Sequence, residues 1–219
     1  MQKDASKLLK HIKENIGFIE TSMPNNYNSL AICILDDVYS LRSKYFSITL
    51  PTIQRFANEY LNGDMYSSNY SIDNFIEDLD KNGLIYVSDY ILKNKQKLCG
   101  RCKIDICYDV ALKLKKINIQ NFDDFNNYPN RDYLAFYLKQ IKGIGDAAIK
   151  YLFMLAGDET LIKPDVHIHK CIKDAIGRDC SNDYCQELFC EVSAHLMKSK
   201  PYATPKFLDR LVWMHYSTK

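Results

Sequence analysis

Apolar residues recur three and four positions apart along most of the chain. Leu8, Leu9, Ile12 and Ile16 mark one helical segment, and Leu30, Ile32, Ile34, Val38 and Leu41 mark another. The same spacing predicts helices over about 50–62, 71–82, 104–117, 130–141, 146–156, 166–176, 182–198 and 204–216. Strand-like alternation is scarce. Leu84-Ile85-Tyr86-Val87 is the one candidate, and a short buried helix suits it equally. Gly17, Gly63, Gly83, Gly157 and Gly177 each fall just after an amphipathic run, where a left-handed residue ends a helix. Pro51, Pro129, Pro164 and Pro205 sit at starts and turns, and Ser71 and Asn182 are candidate N-caps. With no internal repeat and no low-complexity linker, the pattern predicts an all-α fold of about ten short helices.

Length and charge narrow the class. A chain of 219 residues supports one sizeable core or two small lobes. It holds no unbroken apolar run of the roughly 18–20 residues that a membrane span needs. Its opening, Met1-Gln2-Lys3-Asp4, leads into an amphipathic segment without the apolar core of a signal peptide. The expectation is a soluble, intracellular, cytoplasmic or nucleoid protein (nuclear if eukaryotic). The formal net charge of +2 argues against a strongly basic nucleic-acid coat protein. The total hides an asymmetry. Residues 1–90 carry 8 basic and 12 acidic side chains, a net of −4, and residues 91–219 carry 21 and 15, a net of +6. Ordinary scatter explains this as well as a C-terminal part facing a polyanion does.

Eight cysteines raise a metal or disulfide reading. An intracellular chain of this length needs no disulfides. Cys99-Gly-Arg-Cys102 with Cys107 offers three thiols and no fourth ligand nearby. Cys180, Cys185 and Cys190 are five apart, a spacing that splays side chains around a helix. Partly buried thiols are the default for both groups.

Two glycines stand apart from the helix ends. Ile141-Lys142-Gly143-Ile144-Gly145-Asp146 joins the apolar segment Tyr133–Leu138 to the apolar segment Ala147–Ala156. A Gly-x-Gly turn that opens a helix leaves amide N–H groups pointing outward, where they and the helix dipole suit a phosphate. Lys142 and Lys150 add positive charge. Taken alone, the turn is as readily a tight helix connection with no ligand.

The stretch resembles the helix-hairpin-helix motif, with Lys142 where the motif usually has proline. Twenty residues after Gly145 comes Pro164-Asp165-Val166-His167. Gly143-x-Gly145, Gly157 and Asp165-Val166-His167 are similar in order and spacing to the helix-hairpin-helix DNA glycosylases, of the endonuclease III and 8-oxoguanine glycosylase kind. The likeness extends loosely to Leu35–Ser43, which resembles that family's early helix and the loop after it.

The resemblance implies two helical lobes with a cleft between them. Residues 30–157 would form a helical barrel ending in the hairpin, and 1–29 with 158–219 the second lobe, all one glycosylase unit spanning 1–219. It implies removal of a damaged or mismatched base from double-stranded DNA by a monomer, with no membrane partner. Asp165 takes the position of the catalytic carboxylate, although an N-cap role alone would also explain an Asp there. Gly143, Gly145, Lys142, Ala147, Lys150 and His167 would face DNA, and Arg42 would fill the gap left by the extruded base. Tyr39, Tyr45 and Trp213 are candidate pocket residues, with core packing as the plainer role. No cofactor is required. The backbone carbonyls of Lys139, Ile141 and Ile144 correspond to the family's site for K+ or Na+.

Two departures shape the expected reaction. Bifunctional relatives place a Schiff-base lysine where this chain has Ala147, so a monofunctional enzyme is expected. The Cys-x6-Cys-x2-Cys-x5-Cys loop of the iron-sulfur members is not reproduced, because Cys171, Cys180, Cys185 and Cys190 are spaced 9, 5 and 5 apart. The alternative is a non-enzymatic helix-hairpin-helix DNA-binding protein indifferent to lesions.

Overall fold

The computed structural model describes residues 1–18 and 27–217. Residues 19–26 of the expected N-terminal stretch 1–29 lie outside the described residues. The fold is all-α. Helix α1 (Lys3–His11) runs into a π-helical turn (Ile12–Ile16). Helix α2 (Leu30–Ser40) is followed by a second such turn (Tyr45–Thr49), α3 (Leu50–Tyr60), α4 (Ile72–Asn82) and α5 (Leu84–Tyr86). A third π-helical turn (Val87–Ile91) leads to the strands β1 (Lys97–Leu98) and β2 (Arg101–Cys102). The chain continues through α6 (Lys103–Lys116), α7 (Phe122–Asn126), α8 (Arg131–Lys139), α9 (Asp146–Leu155), α10 (Val166–Ile176), α11 (Asn182–Leu196) and α12 (Pro205–Ser217). Backbone contacts divide it into two compact units, Met1–Pro24 with Gly157–Lys219, and Asn25–Ala156. No helix among the described residues is long and apolar enough to cross a membrane.

In the unit Asn25–Ala156, every residue of α2 from Leu30 to Tyr39 is buried, and α3, α4, α6 and α9 pack around it. A helix enclosed on all sides must be apolar nearly all round. Asp36 and Asp37 break that rule inside α2. The C-terminal end of α2 is closed by a buried lysine. Lys103 Nζ donates to the carbonyls of Tyr39 (3.0 Å) and Leu41 (2.7 Å) and to Gln96 Oε1 (3.1 Å). Those bonds satisfy carbonyls that a helix end leaves without intrahelical partners.

The other unit is built on α1, α10, α11 and α12. Leu8, Ile12, Ile168, Cys171, Phe189, Leu208 and Val212 belong to one apolar cluster. Its exposed side carries a short polar network in which Arg178 and the Tyr184 hydroxyl both donate to Asp4 Oδ2, at 2.8 and 3.1 Å.

Helix ends follow local chemistry, with corrections. Ser71 caps α4 in a reciprocal capping box with Asn74, and Gly177 ends α10 in the left-handed conformation. The cap of α11 is Ser181, one residue before the expected Asn182; the Ser181 hydroxyl accepts the Tyr184 N–H. The strand candidate at Leu84–Val87 is helical. Ile85 is 80 % exposed and Tyr86 half exposed, so the run is no buried strand, and a helix satisfies its own backbone where no partner strand exists. The two-residue ladder of β1 and β2 is too short to leave a periodic signal in the sequence. It closes a hairpin whose turn residues Cys99 and Gly100 both have positive φ.

Candidate functional site

Asp165 is the N-cap of α10. Its backbone is extended (φ −95°, ψ −174°), and Oδ1 accepts the N–H groups of His167 (2.8 Å) and Ile168 (3.2 Å). Oδ2 takes no hydrogen bond among the described residues. The residue before it is buried Pro164, and the Asp165 N–H turns back to the Lys163 carbonyl at 2.7 Å, making a three-residue turn with proline at its centre. The Lys163 N–H donates to Asp209 Oδ1 on α12 at 2.9 Å. The carboxylate is therefore held from both sides, by α10 through its cap and by α12 through the turn. His167 is half-buried on the first turn of α10. His169, for which the sequence suggests no role, sits 2.8 Å from Asn182 Oδ1 and 3.8 Å from Cys185 Sγ.

The hairpin lies in the unit Asn25–Ala156. Gly143 has φ +108°, and a Cβ there would meet Ile106 Cδ1 at 3.1 Å and Leu98 Cδ2 at 3.3 Å, so conformation and space both require glycine. Gly145 differs. It is the N-cap of α9 with an extended backbone (φ −113°), and a Cβ would meet nothing within 4 Å. No side chain caps α9, and Gly145 and Asp146 at its start are exposed. Lys142 is exposed and makes no ion pair among the described residues. Asp146, on the first turn of α9, pairs with Lys139 Nζ at 2.7 Å. Ala147 and Lys150 are both half-buried on α9. The Ile141 carbonyl accepts the Ile144 N–H at 3.0 Å.

The remaining candidates have mixed settings. Arg42 is exposed and left-handed (φ +53°), in the segment whose start Lys103 clamps. A non-glycine residue held there stores strain. Tyr39 is fully buried, with its hydroxyl lacking a hydrogen-bond partner among the described residues, so it forms core rather than an open pocket wall. Tyr45 donates to Asp36, and Trp213 is half-buried on α12. Among the described residues no three His, Cys, Asp or Glu side chains converge on a metal-binding position. Cys107 is buried against the Ile34 carbonyl, and burial first, then Asp37, pushes its thiol up.

The model of a family described as a domain of unknown function, DUF8548, matches residues 6–217. The chain belongs to that family. No curated protein and no solved structure matches it.

Three features of this DUF8548 domain are invisible to periodicity. Buried Asp36 accepts hydrogen bonds from the hydroxyls of Tyr27 (2.8 Å), Tyr45 (2.9 Å) and Tyr151 (3.1 Å). Three donors from separate parts of the chain compensate one internal carboxylate. Buried Lys103 closes α2. Buried Asp209 is pushed up to about 8, first by desolvation and then by the Asp165 charge, against a lowering by the Lys163 N–H and the Lys163 charge. The sequence pattern places Asp36 and Asp37 within a helix, and Asp209 at a polar position of an apolar-striped one, and goes no further. The available signal is a charged residue where the apolar pattern calls for burial.

Proposed function

We propose that this DUF8548 domain is a monofunctional DNA glycosylase. It would hydrolyse the N-glycosidic bond of a damaged or mismatched base flipped out of double-stranded DNA, and leave the strand intact. The observation that carries the reading is Asp165, with one oxygen fixed by the α10 cap and the other left for a reacting group.

Breaking the glycosidic bond develops positive charge on the sugar. A rigid carboxylate beside the anomeric carbon stabilises that charge and orients the attacking water. Rigidity matters because a mobile carboxylate must reorganise during the reaction. Asp165 is held by two amide hydrogen bonds on its side chain and one on its own N–H. Extruding the nucleotide costs a few kcal/mol of stacking and needs an anchor on the backbone. The uncapped α9 start, open at Gly145 and flanked by exposed Lys142, supports that role. Asp146 opposes it, and Lys139 offsets the Asp146 charge. The carbonyls of Lys139, Ile141 and Ile144 would hold a K+ or Na+ ion, whose charge would add to the attraction for a phosphate. Arg42, exposed and strained, would occupy the vacated stack. Ala147 carries no amine, so no Schiff base forms at that position and no strand cleavage follows.

A single-turnover screen over duplexes with alkylated, oxidised, deaminated and mismatched bases tests the reading. Base release from at least one lesion is expected, falling by about 10²–10³-fold in Asp165→Asn, a range typical of losing one electrostatic stabiliser. Strand breaks should appear only after alkali or heat. Duplex binding without release from any lesion would favour the lesion-indifferent DNA-binding protein instead. Release that survives Asp165→Asn would remove the assigned mechanism, and unaided strand cleavage lost in Lys150→Ala would overturn the monofunctional assignment.

A further inference from the structure

Among the described residues, the buried charged side chains include Asp36 with its three tyrosines, Lys103 at the end of α2, and Asp209 on α12. The first two are fully engaged by hydrogen bonds within their own unit. Asp209 acts on the segment that presents Asp165.

We infer that Asp209 is a positioning residue for Asp165: its buried carboxyl fixes the turn Lys163–Asp165, and with it the place of the Asp165 carboxylate. This rests on the glycosylase reading for its catalytic consequence, though not for its geometry. Asp209 Oδ1 accepts the Lys163 N–H at 2.9 Å, and the Lys163 carbonyl accepts the Asp165 N–H at 2.7 Å. The intervening Pro164 has a fixed φ and no N–H. The two bonds restrain the torsions that proline leaves free in the turn. Forty-six residues separate Lys163 from Asp209, so the link is tertiary.

The same carboxyl keeps the site to one negative charge. The charges acting on Asp209 are the Asp165 carboxylate at the start of α10, which opposes its ionisation, and Lys163, which favours it. α11, with Asp183, Glu187, Glu191 and His195, and the turn Ile12–Ile16, with Lys13 and Glu14, also pack on α12, but the charges that shift Asp209 are those of Asp165 and Lys163. Desolvation is the largest cause, and Asp209 therefore holds its proton through neutral pH and gives it up near 8. Above that pH a second carboxylate opposes the Asp165 charge.

The test uses the full chain with Asp209→Asn and Asp209→Ala. The amide oxygen of Asn accepts the Lys163 N–H, and Ala cannot. On a lesion that the wild type processes, Asp209→Ala should lose roughly 10–100-fold in single-turnover rate with duplex affinity unchanged, and Asp209→Asn should stay within about threefold of the wild type at pH 7. The wild-type rate should fall above pH 8 while that of Asp209→Asn does not. A failure of Asn equal to that of Ala, or a full rate in Ala, overturns the inference. Two readouts need no activity and stand even if no lesion is processed. Carboxyl NMR should show Asp209 titrating near 8 in the wild type and lower in Asp165→Asn; an ordinary carboxylate midpoint in the wild type overturns the charge argument. Amide exchange at Lys163 should be protected in the wild type and Asp209→Asn, and fast in Asp209→Ala if that variant folds. Protection retained in Ala, or absent in Asn, overturns the geometric one.

Discussion

At the scale of residues, the informative positions are those where a charge is buried. Asp209 gives a stability prediction independent of function. Its unfolded value is the ordinary 3.8 and its folded value about 8. The folded state therefore binds the proton more tightly. The full contribution of Asp209 to stability is present below about pH 4 and is lost as pH rises through 8. A tenfold difference in proton affinity between the two states corresponds to about 1.4 kcal/mol, so the loss is on the order of 5 kcal/mol. Urea denaturation from about pH 4 to 9 should show Asp209→Asn gaining on the wild type across that window, with the difference flat above about pH 8.5. A constant difference would mean that Asp209 titrates normally. Asp165 makes the complementary case. As an N-cap it contributes about 1 kcal/mol, and Asn caps nearly as well. Asp165→Asn should thus separate the capping role from the proposed chemical one, since it changes charge and little else.

At the scale of elements, the hairpin holds two glycines that serve different ends in one turn. Gly143 is needed by the fold. Gly143→Ala forces an alanine to φ +108° and presses its Cβ on Ile106 and Leu98. A loss of about 2–4 kcal/mol in chemical denaturation is expected. Gly145→Ala meets neither obstacle, because its φ is −113° and its surroundings are empty. Its stability should change by less than about 1 kcal/mol, while on the proposed glycosylase reading duplex affinity falls, because the added methyl would stand where a phosphate would approach the α9 amides. Equal losses of stability in both variants would refute this division of labour. The hairpin itself is readable from spacing, since two apolar helical runs meet at a Gly-x-Gly. The distinction between its glycines is not. It depends on Ile106 and Leu98, which come from an earlier helix and from a strand that carries no sequence signal.

At the scale of the whole molecule, the charge is unevenly divided along the chain. The small net charge of +2 divides into −4 over residues 1–90 and +6 over 91–219. Several of the basic side chains in the second part are engaged in ion pairs, as with Lys139–Asp146, Lys173–Asp179 and Arg178–Asp4. Exposed Lys142 makes none among the described residues. On the proposed glycosylase reading, binding to an undamaged duplex should be weak and salt-sensitive. Fluorescence anisotropy across a salt series should give a linear log–log plot, and Lys142→Ala should reduce its slope by about 0.9, the value for one phosphate contact. An unchanged slope would remove Lys142 from the interface.

The all-α class, most helix positions, the Asp165 cap and the hairpin were set by the sequence alone. Each depends on interactions within a few residues: the 3.6-residue repeat of apolar side chains, the bond from a cap oxygen to an amide two or three residues on, and the φ that glycine permits. What sequence leaves open is which polar groups end up inside. Asp36 meets Tyr151, Tyr39 meets Lys103, and Lys163 meets Asp209 across 115, 64 and 46 residues. Burial and the shift of a carboxyl toward neutral pH are sums over such distant neighbours, so only the folded chain decides them.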